Sequence, residues 1–212
     1  MKRIIILTSI ITLFLGTANA QPEDIDPDYL NTLTKRAGKI VDGLNMTNLK
    51  KKERVQQIIV IQYFELSKIH DLRDKNLEEV KELGSEEKED IKQTIHHEIN
   101  SLLYQLHAEY LAKLSAELSQ DQIEQVKDGM TYGVAGRTYN RYLSLLPELT
   151  EDQKRYIYSN LVEAREFAMD AGSSDEKHAW FGKYKGRINN FLSGEGYDLK
   201  KAEQALKNQK DQ

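Results

Sequence analysis

Only three prolines occur in this chain, and two of them, Pro22 and Pro27, stand ahead of the folded part. Proline removes a backbone donor and clashes with the preceding turn, so a chain that avoids it is free to form long uninterrupted helices. Asp26 followed by Pro27 reads as a helix cap with proline at the first helical position. From there Tyr29, Leu30, Leu33, Ala37, Ile40, Val41 and Leu44 recur at helical spacing. Thr47 can cap a second helix, with apolar positions at Val55, Ile58, Ile59, Tyr63, Leu66, Ile69 and Leu77, ending at Gly84. Ser85 opens a third, with Glu86 and Glu87 in its first turn, where the helix dipole favours anions. Ile91, Ile95, Ile99, Leu102, Leu103, Leu106, Tyr110 and Leu114 carry that helix to about Leu118.

Helices two and three would each be roughly 30 residues, on the order of 45–50 Å long. The short Gly84-Ser85 turn makes them an antiparallel hairpin. After residue 118 the helices shorten. Ser119-Gln120-Asp121-Gln122, Thr150-Glu151-Asp152-Gln153 and Ser173-Ser174-Asp175-Glu176 all fit the capping box. Residues 129–137, GMTYGVAGR, read as the longest glycine-rich loop. No stretch alternates like a strand, so the fold class is all-α: a helical bundle built on a long antiparallel hairpin, with several shorter C-terminal helices.

The first twenty residues read as a signal peptide. Lys2 and Arg3 precede an apolar run that closes on Ala18-Asn19-Ala20, a small-residue cleavage pattern. The expectation is an exported protein, periplasmic or secreted, that starts near Gln21, with residues 21–212 as a single domain. It has no cysteine, so neither disulfides nor a lipidated Cys can hold it. Without Lys2 and Arg3, 28 basic residues face 34 acidic ones, a net charge of −6. That mixed, mildly acidic balance argues against nucleic acid as a partner, and no membrane insertion is expected after signal cleavage.

No phosphate loop, dinucleotide fingerprint, metalloprotease motif or Ca²⁺ loop is present, so no cofactor and no metal are expected. The adjacent His96-His97 points its rings about 100° apart on a helix. No carboxylate pair stands out by spacing as a general acid and base, so the reading leans away from an enzyme.

Two places invite a binding role. In IHDLRD, His70 and Asp74 share a helix face with Arg73 beside them, either as an i,i+4 surface pair or as a charged patch facing a site. The stretch from residue 170 to 193 is richer. On a helical wheel Trp180, Phe181, Tyr184, Ile188, Phe191 and Leu192 fall within an arc of roughly 120°, the width of a core-facing stripe. The opposite face gathers His178, Gly182, Lys185, Gly186, Asn189 and Ser193, flanked by Lys183, Arg187 and Asn190. Glycine inside a helix costs about 1 kcal/mol relative to alanine, which close packing of another helix or a bound ligand would offset. Tyr132 in the glycine-rich stretch could join this surface, whose planar polar groups and aromatic rim suit a saccharide and whose basic flank suits an acidic one.

The segments IHDLRD, LSQDQIEQVKDGMTYG, LPELTEDQK and EAREFAMDAGSSDEKHAWFGKYKGRINNFLSGEGYDLKKA resemble DUF3826, a family of exported bacterial proteins of unknown function. The resemblance covers nearly the whole mature chain. Sugar binding has been suggested for the family, which implies a saccharide or polysaccharide partner. It supplies no catalytic residue to carry over. Leu118-Ser119-Gln120-Asp121-Gln122 and Leu149-Thr150-Glu151-Asp152-Gln153 also resemble the LTxxQ motif of small periplasmic chaperones of the Spy and CpxP type, which leaves a chaperone or a structural interaction module as the alternatives.

Overall fold

The computed structural model describes residues 26–82 and 85–210. The expected signal segment, residues 1–20, and the Gly84 stop lie outside the described residues, as do the side chains of Glu86 and Glu87. Among the described residues the chain is all-α, with eight α-helices and no strand: α1 (Pro27–Asp42), α2 (Leu49–Glu79), α3 (Ser85–Glu117), α4 (Gln120–Met130), α5 (Val134–Leu145), α6 (Glu151–Met169), α7 (Ser174–Gly194) and α8 (Leu199–Lys210).

Local signals set most boundaries. The Asp26 carboxylate accepts from the Asp28 amide at 3.0 Å ahead of Pro27. Asn48, not Thr47, caps α2, its side-chain oxygen accepting from the Lys51 amide at 3.0 Å. Amide and hydroxyl oxygens compete for the same cap, and asparagine here lies one residue closer to the first turn. Ser119/Gln122 and Thr150/Gln153 form complete reciprocal capping boxes on α4 and α6. The third expected box is only half made. Ser173 accepts from the Glu176 amide, but the Glu176 carboxylate turns to the Gly172 amide and Arg73.

The glycine-rich stretch is mostly helix, which corrects its reading as a loop. Gly129 sits inside α4, where a Cβ would come within 2.9 Å of Ile40 Cγ1, so its bareness lets α4 pack on α1. Thr131 bonds back to the Lys127 carbonyl, and Gly133 takes the left-handed conformation at φ 62 that turns the chain straight into α5.

Two apolar clusters form. Leu33, Ala37 and Val41 of α1 pack with Val55, Ile59, Leu66 and Ile69 of α2, Ile99, Leu106, Tyr110 and Leu114 of α3, and Val126 and Met130 of α4. The second joins Tyr142 of α5, Ile157, Leu161, Ala164 and Ala168 of α6, and Phe181, Tyr184, Ile188 and Leu192 of α7. Each large aliphatic or aromatic side chain among them contributes on the order of 1.5–3 kcal/mol, and the alanines less. The α2–α3 hairpin is tied at one end by a bidentate pair, Arg54 Nε and Nη2 to Glu117 at 2.7 and 2.9 Å. Helices α6 and α7 form a second hairpin, whose turn is held by the buried Lys177 ammonium on the Ala168 and Met169 carbonyls at 2.8 and 3.2 Å. A cation on the last carbonyls of a helix meets the negative end of its dipole.

Candidate functional site

Where the α2–α3 hairpin faces the α6–α7 hairpin, a groove of about 1050 Å³ opens. It is at the upper end of small-molecule clefts, which run from about 300 to 1,000 Å³. The joint beneath it is polar. The His70 Nε2 lies 2.7 Å from the Asp170 carbonyl oxygen, which can only accept, so Nε2 carries the proton. His70 is packed under Gly172, where a Cβ would fall 2.7 Å from the imidazole Cγ. Arg73 donates to Glu176 at 2.9 Å and to Asp74 at 2.8 Å, linking α2 to α7.

His107 of α3 reaches across to α6. Its Nδ1 stands 2.7 Å from Asp170 Oδ2, and its Nε2 stands 3.5 Å from Glu166 Oε2. Lys127 of α4 donates to the same Glu166 oxygen at 2.9 Å, and the buried Arg165 holds Asp128 at 2.8 Å and also contacts Glu124. The hydrogen bond to Asp170, then that to Glu166, push the His107 pKa up to about 9 against the opposing effect of burial. Burial disfavours the Glu166 anion, but hydrogen bonds from His107 and Lys127 and the charges of Lys127 and Arg165 outweigh it and hold its pKa at about 2. The groove's inner end is therefore a set of fixed charges at neutral pH.

One wall of the groove is aromatic. Phe167 of α6 and Trp180 of α7 stack with centroids 4.5 Å apart and planes 15° from parallel. The Lys183 ammonium lies 4.9 Å over the Trp180 ring. From α3, Tyr104 stands 77 % exposed at the groove and Phe167 is 45 % exposed. One exposed ring by itself says little, but here the open aromatics share one groove, and contiguous apolar surface of that kind marks a contact surface.

The structure divides the residues singled out from sequence. His70, Arg73 and Asp74 line the groove, and Lys183 joins them. The α7 stripe is inward as expected at Phe181, Tyr184, Ile188 and Leu192, whereas Trp180 and Phe191 are half-buried and Trp180 belongs to the groove wall. On the other flank of α7, Lys185 and Asn189 face α5 and α8, and His178 stacks with Tyr132 at 6.2 Å. Gly182, Gly186 and Asn190 lie on the exposed crest between the two flanks. A Cβ on either glycine would meet nothing within 4 Å, so no packed helix accounts for them. Arg187 lies 4.5 Å over the Tyr184 ring and reaches Asn160 and Glu163 of α6.

Glu166, Phe167, Asp170, Tyr104 and His107 were not anticipated. His107 meets Asp170 across 63 residues and His70 meets it across 100, separations that leave no local pattern. Tyr104 did leave a signal, since it stands out of phase with the buried stripe of Ile99, Leu106 and Tyr110, whereas Phe167 borders the α6 stripe and reads from sequence as part of it. Among the described residues no group of three His, Asp or Glu is arranged to hold a metal ion, and no helix is long and apolar enough to cross a membrane. No curated protein matches the chain. Residues 30–211, which contain every element of the groove, match the family described as proteins of unknown function, and the chain belongs to that family, DUF3826.

Proposed function

We propose that the groove between the two helix hairpins binds a saccharide. The observation that carries the reading is the aromatic pair of walls, Phe167–Trp180 on one side and the protruding Tyr104 on the other, set over a floor of fixed charged groups. A sugar offers C–H faces to rings and hydroxyls to charged planar groups, and both kinds of partner converge here. Both LTxxQ-like segments form capping boxes with Leu118 and Leu149 buried behind them, so they have a structural role in this fold and add no client-binding surface of their own.

Trp180 is the one tryptophan of the chain and lies in the groove wall, so its emission reports occupancy directly. Oligosaccharides screened against the full chain should include one that shifts Trp180 fluorescence saturably, with affinity about tenfold lower in Tyr104→Ala. If no glycan moves the emission while the protein suppresses aggregation of an unfolded client, the saccharide reading fails. The reading includes export of residues 21–212 as one domain, because the leader pattern ends at Ala20. N-terminal sequencing of the secreted or periplasmic protein should begin at Gln21, and a retained Met1 would refute it.

A further inference from the structure

Helices α5 and α7 both pack on α6 and meet each other through side chains alone. Tyr132, just before α5, stacks on His178 with planes 26° apart, and ten residues further on the Tyr142 hydroxyl donates to Asn189 Oδ1 at 2.6 Å. The two contacts are bookends about 15 Å apart, the rise of ten helical residues. Between them and the start of α8 lies a trench of about 460 Å³ with Tyr142, Leu145 and Leu199 among its lining. Its rim is strongly basic. Arg137, Arg141, Lys185 and Lys200 line it with a single carboxylate, Glu203, which Arg141 approaches to 3.7 Å. Among the described residues Arg137, Lys185 and Lys200 have no carboxylate within 4.0 Å. Surface cations in an acidic chain ordinarily pair or disperse, as Lys154 does with Glu151 at 2.8 Å on α6. Here Arg137, Lys185 and Lys200 converge on one cleft whose single carboxylate, Glu203, is already approached by Arg141, which leaves three cations open to an anion from outside the chain.

We propose that this trench is a second binding site, which takes the negatively charged group of an acidic saccharide, either a uronate carboxylate or a sulfate ester. The choice of a saccharide rests on the carbohydrate reading of the groove, but the surface is a different one, on the far flank of α7. Asn189 accepts from Tyr142, which leaves its amide hydrogens to donate, and Thr138 adds a hydroxyl. Lys185 and Arg137 supply the charge, and the apolar lining gives a pyranose ring somewhere dry to rest. Tyr132 is 52 % exposed and held at φ 59, a conformation side chains rarely adopt, and its ring extends the surface beyond the trench.

The test is calorimetry on the full chain with three linear tetrasaccharides: one of galacturonic acid, its neutral methyl ester, and one bearing sulfate esters. At least one acidic probe should bind, at least tenfold more tightly than the methyl ester, with an affinity that falls as salt is added. The double variant Arg137→Ala, Lys185→Ala changes exposed side chains, so its melting temperature should match the wild type while binding falls at least tenfold. Whichever acidic probe survives the comparison identifies the charged group. Trp180 emission should stay unchanged during this titration and Tyr104→Ala should have no effect, because both belong to the groove. Failure of both acidic probes, equal binding of the methyl ester, or full affinity in the double variant would overturn the proposal. Binding that shifts Trp180 and depends on Tyr104 would also overturn it, while leaving the groove reading intact.

Discussion

The His107 cluster makes folding depend on pH in a way that can be calculated. Folding raises the imidazole pKa from 6.5 to about 9, through the hydrogen bonds to Asp170 and Glu166. The cluster therefore contributes fully below pH 6.5, and its contribution drains away as the pH rises to about 9. Holding that proton more tightly than the unfolded chain does is worth about 3 kcal/mol. Roughly 2 kcal/mol of it should be gone between pH 6 and pH 8. Lys177 acts in the opposite sense. Burial lowers its pKa from 10.5 to about 8, so stability recovers as the pH climbs from 8 to 10.5. The window from pH 6 to 8 thus isolates His107. Urea unfolding followed by circular dichroism at pH 6, 7 and 8 should show wild-type stability falling by about 2 kcal/mol. His107→Asn keeps a donor near the Nδ1 position for Asp170 but cannot hold the charge, so it should be less stable at pH 6 and nearly flat across the window. Equal slopes for the two proteins would mean that the ion cluster does not set the pH dependence.

Other substitutions separate packing from surface. Phe181→Ala removes a side chain with 2 % exposure and should cost about 3–5 kcal/mol, whereas Trp180→Ala, at a half-buried groove wall, should cost roughly 1–2 kcal/mol; equal losses by thermal melting would return Trp180 to the core. Gly172→Ala would drive a methyl into the His70 ring and should destabilise by about 1–3 kcal/mol, and an unchanged melting temperature would show that the turn yields freely. Gly182→Ala meets open space on an exposed helix face and should stabilise by about 1 kcal/mol, so a loss there would reveal a contact the fold does not show.

The hairpin was legible because α2 and α3, with 31 and 33 residues, repeat one apolar pattern long enough to override local noise. The α7 stripe was legible for the same reason. Glycines misled in two ways. Gly129 and Gly136 suggested a loop, yet each sits in a helix, Gly129 because α1 crosses it closely. The wheel of α7 drew its exposed residues as one surface, but a helix crest has two flanks. What lies opposite each flank, α2 and α3 on one side and α5 and α8 on the other, is tertiary information. His70, Arg73 and Asp74 were noticed through i,i+4 spacing alone; their partners Glu176 and Asp170 lie about a hundred residues away.

The placing of charge bears on what the groove is for. The two apolar clusters meet across a joint occupied by Arg165, Lys127, Glu166, His107, Asp170, Arg73 and Glu176. Leucines there would hold the clusters together at least as firmly, since a buried ion pair loses in desolvation much of what it gains in attraction. Ion pairs offer direction instead. Each of these contacts fixes a side chain at one angle and one distance, so the floor of the groove keeps its shape where apolar packing would tolerate repacking. The proposed binding role would need the groove's first contacts held in place by a second layer, and Lys127 and Arg165 stand behind Glu166 in that position. A joint built mainly for stability would have the opposite composition, with charge pushed to the rim and carbon inside.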